Sequence, residues 1–318
     1  MRRPTRESEK REKKRNMNLS IVFAKMAMLV LIMLLGYLCA RIGITGPEFN
    51  QRVTPLMVKV LLPATILNSV LSVPDFSGRE LLDYILVMTV MVALQMLPAW
   101  FLPRLMRTRS EDVGATRLVT AFGNVGFVGL PVVAAIFGDE MVFFASLCNI
   151  PFNLALYSCS AAQLSPDGGR VRWQDVLNAP VIATLLSVVL LLSRVHVPGV
   201  LADTISSVSG VTIPLSMLVI GTSLGGISVR SVLTDWRVYV VSAVRLLVCP
   251  LLTWLVLRPF AAGALLGISV LMAACPSAML VTALCLQYGR SDAFASKCIF
   301  LSTVLSAVTI PLLIWLLF

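Results

Sequence analysis

Charged residues are scarce in this chain of 318 residues, at 13%, whereas 58% of the residues are hydrophobic. Soluble globular chains are usually about a quarter charged, so the composition excludes an ordinary water-soluble domain. Apolar runs of about 20 residues, the length that crosses a bilayer, recur along the chain. A transmembrane β-barrel would instead show alternating segments of about ten residues. The sequence therefore predicts an all-α polytopic membrane protein.

Histidine and acidic side chains are nearly missing from the apolar runs. The only histidine is His196, and no Asp or Glu lies near the middle of an apolar run. The seven cysteines form no CxxC or Cys/His cluster. An intramembrane enzyme needs a nucleophile with a base or paired carboxylates, so we predict that the protein is not an enzyme. We also predict no metal site, no disulfide framework and no cofactor.

Positive charge is concentrated at the N-terminus. The net charge is +10, and residues 1–16, MRRPTRESEKREKKRN, contain eight Lys or Arg and three Glu. This tail is too polar to pack, so we predict that it is disordered. Nucleic acid and anionic lipid are alternative partners for such a tail, but we expect it to be solvated and to bind no nucleic acid.

Ten membrane spans joined by short loops are predicted, at 19–40, 53–72, 81–103, 115–137, 141–163, 176–193, 202–226, 237–257, 261–288 and 294–317. The longest loop separates spans five and six. We therefore divide the chain into a tail 1–16, a first five-helix repeat 17–163, a cytoplasmic linker 164–175 and a second five-helix repeat 176–318.

The two halves resemble each other at a nearly constant offset. Prolines and glycines recur 151 or 152 residues apart, as Pro47 with Pro198, Pro63 with Pro214, Pro98 with Pro250 and Gly138 with Gly289. Because each half has an odd number of spans, the second half must insert upside down relative to the first. Such inverted repeats are typical of secondary transporters.

Loop charges predict the orientation in the membrane. Loops after spans 1, 3, 5, 7 and 9 hold twelve Lys or Arg, whereas loops after the even-numbered spans hold three. The positive-inside rule places the first set in the cytoplasm and both termini outside. The basic tail conflicts with this, because its charges would be translocated. Translation from Met17 rather than Met1 is our hypothesis for resolving the conflict.

Spans four and nine carry helix-breaking residues near the bilayer centre. Span four contains GNVGFVGLP at 123–131, and span nine contains AACPSAML at 273–280. Proline removes a backbone donor, and the freed groups need partners in protein or water. Interrupted helices at matching positions of inverted halves mark a transporter binding site, and their N-termini suit an anion. The predicted substrate-binding residues here are Asn124, Gly126, Pro131, Cys275, Pro276 and Ser277.

Three further polar residues are candidates for binding substrate. Asn149 and Asn153 lie four residues apart on one face of span five, and Arg245 lies deep in span eight. Helix packing is the alternative for the two asparagines. Pairing with a backbone carbonyl is the alternative for Arg245.

Two segments, GNVGFVGLPVVAAIFGDE and CPSAMLVTALCLQYGRSDAFASKCIFLSTVLSAVTIPLL, resemble the auxin efflux carrier family of membrane transport proteins. The family includes plant auxin exporters and bacterial carriers for malate, malonate or similar acids. The resemblance implies ten spans in two inverted repeats, arranged as in sodium–proton antiporters and bile-acid transporters, with spans four and nine crossing at their prolines. Plant members have an asparagine where this chain has Cys275. This difference argues against an auxin-like substrate and against binding of a carboxylate by a pair of asparagines at the two breaks.

We therefore predict a multi-pass secondary carrier in the cytoplasmic membrane. It would move a small organic anion, a mono- or dicarboxylate, by alternating access. A carrier-fold sensor or receptor and a channel are the alternatives. Three properties stay open: coupling to sodium, transport driven by the membrane potential alone, and assembly as a homodimer.

Overall fold

The computed structural model describes residues 6–71, 78–165, 173–193 and 197–317, with side chains from residue 23 onward except that of Asp175. In these ranges the secondary structure is helical. The principal helices are α1 (Arg6–Arg41), α2 (Pro47–Leu71), α3 (Gly78–Leu105), α4a (Val113–Ala121), α4b (Val125–Phe137), α5 (Glu140–Leu164), α6 (Ala179–Ser193), α7 (Gly199–Gly225), α8 (Trp236–Leu257), α9a (Gly263–Ala273), α9b (Leu280–Gln287) and α10 (Ala293–Leu317). Short helices at Ser110–Asp112, Trp173–Val176 and Val229–Leu233 lie in the connections.

Among the described residues, seven helices are long and apolar enough to cross a membrane: α1 from Phe23, α2, α3, α5, α7, α8 and α10. Three shorter apolar helices, α4b, α6 and α9a, accompany them. Large apolar side chains such as Leu31, Leu86 and Leu316 are exposed on the outer faces. In a bilayer, lipid tails can surround such side chains, while the backbone N–H and C=O groups form hydrogen bonds within the helix. The prediction of a helical polytopic membrane protein is confirmed.

Helix α1 begins at Arg6, inside the segment for which the sequence predicts disorder. Glu, Lys and Arg are good helix formers, which accounts for a helical backbone in so polar a stretch. Residues 1–5 of the predicted tail lie outside the described residues, as do residues 166–172 of the predicted linker and His196. The division into two repeats stays a prediction.

Proline shapes three of the helices without ending them. In the described residues, wider π-helical turns occupy Met57–Leu61, Val125–Gly129 and Val244–Val248. Each turn ends two residues before a proline: Pro63, Pro131 or Pro250. A proline ring clashes with the carbonyl four residues earlier, which in each case lies within the wide turn. The extra residue in the turn therefore gives the ring space, and the helix continues.

Close helix packing surrounds the two interrupted helices. Helix α1 lies along α7, where Gly36, Gly221 and Gly225 let the two backbones approach. Helix α2 packs against α6, α3 against α4a, and α8 against α9a. The large buried core includes Phe122 and Phe143. We refer to α4a and α4b together as α4, and to α9a and α9b together as α9. The packing holds the break in α4 against the break in α9 in the interior of the protein.

Candidate functional site

The chain crosses itself where α4 and α9 are interrupted. Between the half-helices the two segments run antiparallel and form an isolated bridge. The Asn124 amide donates to the Pro276 carbonyl at 2.7 Å, and the Ala278 amide donates to the Phe122 carbonyl at 2.9 Å. Each bond gives a partner to a backbone group that the helix break exposes, which lipid cannot do. The crossing is therefore a stable element of the protein interior.

Arg245 of α8 lies directly behind this crossing and is fully buried. Its Nε donates to the Cys275 carbonyl at 2.9 Å, and its Nη1 donates to the Ala121 carbonyl at 3.0 Å and to the Gln95 side chain. Both carbonyls lie at the C-terminal ends of half-helices, α9a and α4a. A cation is favourable there because these ends carry partial negative charge. The structure thus pairs Arg245 with backbone carbonyls, one of the two alternatives left open by the sequence.

The charges at the crossing do not sum to zero. Each helix end carries about half an elementary charge, negative at the C-terminus and positive at the N-terminus. The two C-terminal ends are offset by the guanidinium of Arg245, which stays protonated in proteins. The N-terminal ends of α4b and α9b remain, and both border a cavity. About one positive charge therefore faces the cavity without a full countercharge.

This cavity, the crossing cavity, has a volume of about 520 Å³. Its walls come from α2, α4b, α5, α7 and α9b, together with residues at the start of α6. Among the described residues that line it, none is Asp, Glu, Lys, Arg or His, and apolar side chains such as Leu62, Phe127 and Phe152 form most of the wall. Gly123 lines the cavity and leaves space for Arg245, because a Cβ on Gly123 would lie only 3.0 Å from the Arg245 Cζ.

Two buried amide side chains at the wall of the crossing cavity keep unused hydrogen-bond donors. Asn124 caps the N-terminus of α4b, where its Oδ1 accepts from the Phe127 amide at 3.3 Å. The Nδ2 groups of Asn124 and Asn149 have no partner in the part of the chain that the structure describes. Both residues are only 5% exposed. A buried donor without a partner is costly, so this pair of amides suits a ligand that brings acceptor oxygens.

Asn149 is held in place by neighbouring asparagines. The Asn153 Nδ2 donates to the Asn149 carbonyl, and the Asn178 Nδ2 donates to the Asn153 Oδ1, both at 2.8 Å. Asn178 also accepts from the Val181 amide at 3.2 Å and so caps α6. The chain of amides ties α5 to α6 and fixes one wall of the cavity.

The structure separates the predicted substrate-binding residues into two groups. Four line the crossing cavity: Asn124, Gly126, Asn149 and Asn153. Five are buried at or behind the crossing and do not line it: Pro131, Cys275, Pro276, Ser277 and Arg245. Ser277 in particular is engaged internally, since its Oγ donates to the Val119 carbonyl at 2.7 Å and its amide donates to the Ser302 Oγ at 3.1 Å.

Several lining residues were not predicted from the sequence: Asn50, Gln51, Thr54, Asn178, Met279 and Thr282. Asn178 precedes Ala-Pro at the start of α6, which is a recognisable helix N-cap pattern. That pattern indicates a helix start and says nothing about a cavity. The others come from helix ends that only the tertiary fold brings to the crossing.

A neighbouring cavity of about 450 Å³ shares Asn50, Gln51, Met279 and Thr282 with the crossing cavity. The Asn50 Nδ2 donates to the Ser223 Oγ at 2.7 Å, so α2 and α7 are bonded at this boundary. The four shared residues therefore form the partition between the two cavities.

Comparison with known proteins decides the family. The sequence model of the family described as Membrane transport protein matches residues 21–168 and 168–314. The chain belongs to this family. The resemblance to auxin efflux carriers read from the sequence is thereby confirmed, and the membrane transport protein is a multi-pass member of a family of transporters.

Two archaeal relatives match this membrane transport protein over nearly their whole length. An uncharacterized transporter of Methanothermobacter thermautotrophicus is 30% identical over 294 residues, which cover 90% of this chain and 95% of the relative. An uncharacterized transporter of Methanocaldococcus jannaschii is 24% identical over 302 residues, which cover 91% and 96%.

Proposed function

We propose that this protein is a secondary carrier that moves a small organic monoanion with an apolar body, and that the anion binds in the crossing cavity. The observation that carries the proposal is the pair of unpartnered, buried amide donors of Asn124 and Asn149. They border a cavity in which the lining residues that the structure describes include no acid, no base and no histidine. A carboxylate brings acceptor oxygens that match these donors and a negative charge that matches the helix N-termini.

The same features favour a monocarboxylate over a dicarboxylate. The partial charges at the N-termini of α4b and α9b add up to about one positive charge, which matches a single carboxylate. The rest of the wall is mainly apolar, with Val58, Leu62, Phe127 and Phe152 among its members. A second carboxylate, as in malate or malonate, would be desolvated there without a cation, which is strongly unfavourable. The substrate class we propose is therefore narrower than the mono- or dicarboxylate expected from the sequence.

We propose alternating access between two groups of helices in two inverted repeats. In two repeats, α1 would correspond to α6, α2 to α7, α3 to α8 and α4a to α9a. The helix contacts support this, because a contact between two helices has an equivalent contact between their counterparts. The contact of α1 with α7 corresponds to that of α6 with α2, and the contact of α3 with α4a to that of α8 with α9a. In this scheme α1, α2, α6 and α7 form a scaffold, and the other helices carry the crossing.

The direction we propose is export, with both termini outside the cytoplasm as the loop charges predict. An inside-negative membrane potential favours the exit of a monoanion by about 2.3 kcal/mol per 100 mV. No further energy source is needed for such a carrier to act as an exporter. Saturable counterflow in proteoliposomes separates a carrier from a channel, because a channel would not accumulate labelled anion against its gradient in exchange for unlabelled anion.

We expect apolar monocarboxylates to stabilise the purified protein and dicarboxylates to leave it unchanged. At a concentration 100 times its Kd, a ligand that binds only the folded state adds about 2.7 kcal/mol to stability. The measurement is thermal unfolding in detergent with phenylacetate, indole-3-acetate, octanoate, malonate and malate. Stabilisation by malonate or malate alone would contradict the proposed class of apolar monocarboxylates. Stabilisation by neutral analogues alone would contradict the proposal that the protein carries anions.

The sharpest variant for this test is Asn124→Asp. The carboxylate keeps the shape and the N-cap acceptor of the asparagine, but it replaces the free Nδ2 donor by an acceptor with negative charge. We expect at least about 100-fold weaker binding of the stabilising monocarboxylate. Asn68→Asp is the matched control, because Asn68 lies on α2 and does not line the crossing cavity. Equal losses in both variants would mean that the effect is not specific to the site.

We also expect binding of the anion to be independent of sodium. A coupling cation would have to offset negative charge at the crossing, and Arg245 already does so from its bonds with the Cys275 and Ala121 carbonyls. The test repeats the thermal measurements with sodium replaced by potassium and by N-methylglucamine at constant ionic strength. A stabilisation that appears only in sodium would contradict this prediction while leaving the binding site itself in place.

A further inference from the structure

A second polar cavity lies away from the crossing, at one end of the helix bundle. It has a volume of about 510 Å³ and lies where α3 ends and α8 and α10 begin. Of the lining residues that the structure describes, four are basic, namely Arg107, Arg109, Arg237 and Lys297, and one is acidic, Asp235. The described residues that line it are all different from those that line the crossing cavity. We call it the basic cavity.

Arg237 and its acidic partners form a fixed wall of the basic cavity. The Arg237 Nη1 lies 3.0 Å from the Asp112 Oδ2, and its Nη2 lies 2.9 Å from the Asp235 Oδ2. The guanidinium also stacks over the Phe294 ring at 4.8 Å. The Arg237 hydrogen bonds lower the pKa of the Asp235 carboxyl, which therefore stays ionised and paired. This wall joins the starts of α4a, α8 and α10.

The other basic residues retain uncompensated charge. Within the described residues, neither Arg107 nor Lys297 has a carboxylate within ion-pair distance. Arg109 reaches only Glu111, at 3.8 Å, and both of those side chains are largely exposed. Exposed pairs of this kind contribute little, so Arg109 also remains available to an anion. In the described part of the wall, the basic groups without a strong ion pair thus come from the end of α3 and from α10, and the carboxylate of Asp235 is already paired.

Arg107 holds an unfavourable backbone conformation at the edge of the basic cavity. Its φ is +49°, and among the described residues it is the only non-glycine residue with positive φ. The Arg107 amide donates to the Arg104 carbonyl, and the Thr108 amide donates to the Pro103 carbonyl, which closes the end of α3. Glycine is the usual residue at such a helix end. An arginine here carries backbone strain that a side chain with a function would explain.

We propose that the basic cavity binds a phosphate group, carried by the headgroup of an anionic phospholipid. Arginine and lysine together are the side chains that proteins use for phosphate. The surface beside the cavity is apolar and exposed, with Leu105 at 81% and Trp236 at 59%. Tryptophan is enriched at the level of lipid headgroups, and exposed leucine suits acyl chains. A headgroup in the cavity with its chains along this surface satisfies both features.

Native mass spectrometry tests this with the full-length protein in an equimolar mixture of phosphatidylglycerol and phosphatidylcholine. We expect the wild type to retain phosphatidylglycerol preferentially. Arg107→Gly and Lys297→Gln should each reduce that preference roughly tenfold, as expected for one lost charge-assisted hydrogen bond. Arg230→Gln is the control, because Arg230 is exposed outside the basic cavity. Unchanged lipid preference in both Arg107→Gly and Lys297→Gln would overturn the proposal.

Arg107→Gly separates ligand binding from folding. Glycine relieves the positive φ, so we expect this variant to melt no lower than the wild type while it loses the lipid. A parallel arm adds inorganic phosphate to lipid-free protein and measures the melting temperature. Stabilisation of the wild type but not of Lys297→Gln, without any preference between the two lipids, would support a phosphate site and overturn the lipid as its source.

Discussion

Arg245→Leu is expected to lower the stability of the protein by about 3 kcal/mol or more. The change leaves the carbonyls of Ala121 and Cys275 and the Gln95 side chain without their donor, all in the buried centre of the molecule. Each buried acceptor left unpaired costs about 1–3 kcal/mol. The measurement is the thermal unfolding of the purified variant in detergent, compared with the wild type.

Removing a buried charge also has a favourable side, because burying a charge is itself costly. Apolar replacements of whole buried ion pairs are often neutral for that reason. Here the partners of Arg245 are mainly backbone carbonyls at the ends of α4a and α9a, which no side-chain substitution removes. The loss of donors therefore outweighs the relief of desolvation, and a leucine variant as stable as the wild type would contradict this account.

Two further variants at this position distinguish the effect of the positive charge of Arg245 from the effect of its hydrogen bonds. Arg245→Lys keeps the positive charge with fewer donors, whereas Arg245→Gln keeps a donor without the charge. If the guanidinium also provides the field for the substrate, the lysine variant should retain anion-induced stabilisation and the glutamine variant should lose most of it. Equal anion binding in the two variants would limit Arg245 to a structural role.

The interrupted helices could be predicted from the sequence because their cause is local. Pro276 removes a backbone donor at the break between α9a and α9b, and Asn124 is a good N-cap for the helix that follows the break after α4a. The structure has Asn124 in that capping position and breaks both helices within the quoted segments. What the sequence did not predict is that Pro131 is accommodated by a wide turn, so α4b continues through it.

The roles of individual polar residues could be predicted only in part. Arg245 had two alternatives, and the choice depended on which carbonyls the fold brings within its reach. Asn149 and Asn153 share a helix face, but only the position of Asn178 shows that Asn153 is engaged internally while the Asn149 Nδ2 is free. The second unpartnered amide at the wall of the crossing cavity thus comes from α5, at Asn149.

Contributions from distant helix ends lie beyond sequence reasoning for a physical reason. Asn50 and Thr282 reach the crossing cavity because α2 and α9b converge there, more than two hundred residues apart in the chain. Neither residue interrupts a hydrophobic pattern or a helix in a recognisable way. Likewise, the loop charges predicted the orientation but not that Arg107 and Lys297 line one cavity.

Gly221→Ala is expected to destabilise the protein by about 3 kcal/mol, through the contact between α1 and α7. A Cβ at this position would lie 2.7 Å from the Tyr37 amide nitrogen and 2.9 Å from the Met33 carbonyl carbon, and closer still to the Met33 oxygen. Carbon–oxygen contacts between packed helices are about 3.3 Å or longer. Because these are backbone atoms, no rotamer change relieves the clash, and the helices must separate.

Gly210→Ala on the same helix is the matched control. A Cβ on Gly210 meets nothing within 4 Å, so only helix propensity changes, and alanine should stabilise by up to about 1 kcal/mol. Thermal unfolding of the two variants should therefore move in opposite directions from the wild type. If both variants melted alike, the close approach of α1 and α7 would not be needed for the fold. A loss confined to Gly221→Ala would instead show that the scaffold proposed for alternating access depends on backbone contact between its two halves.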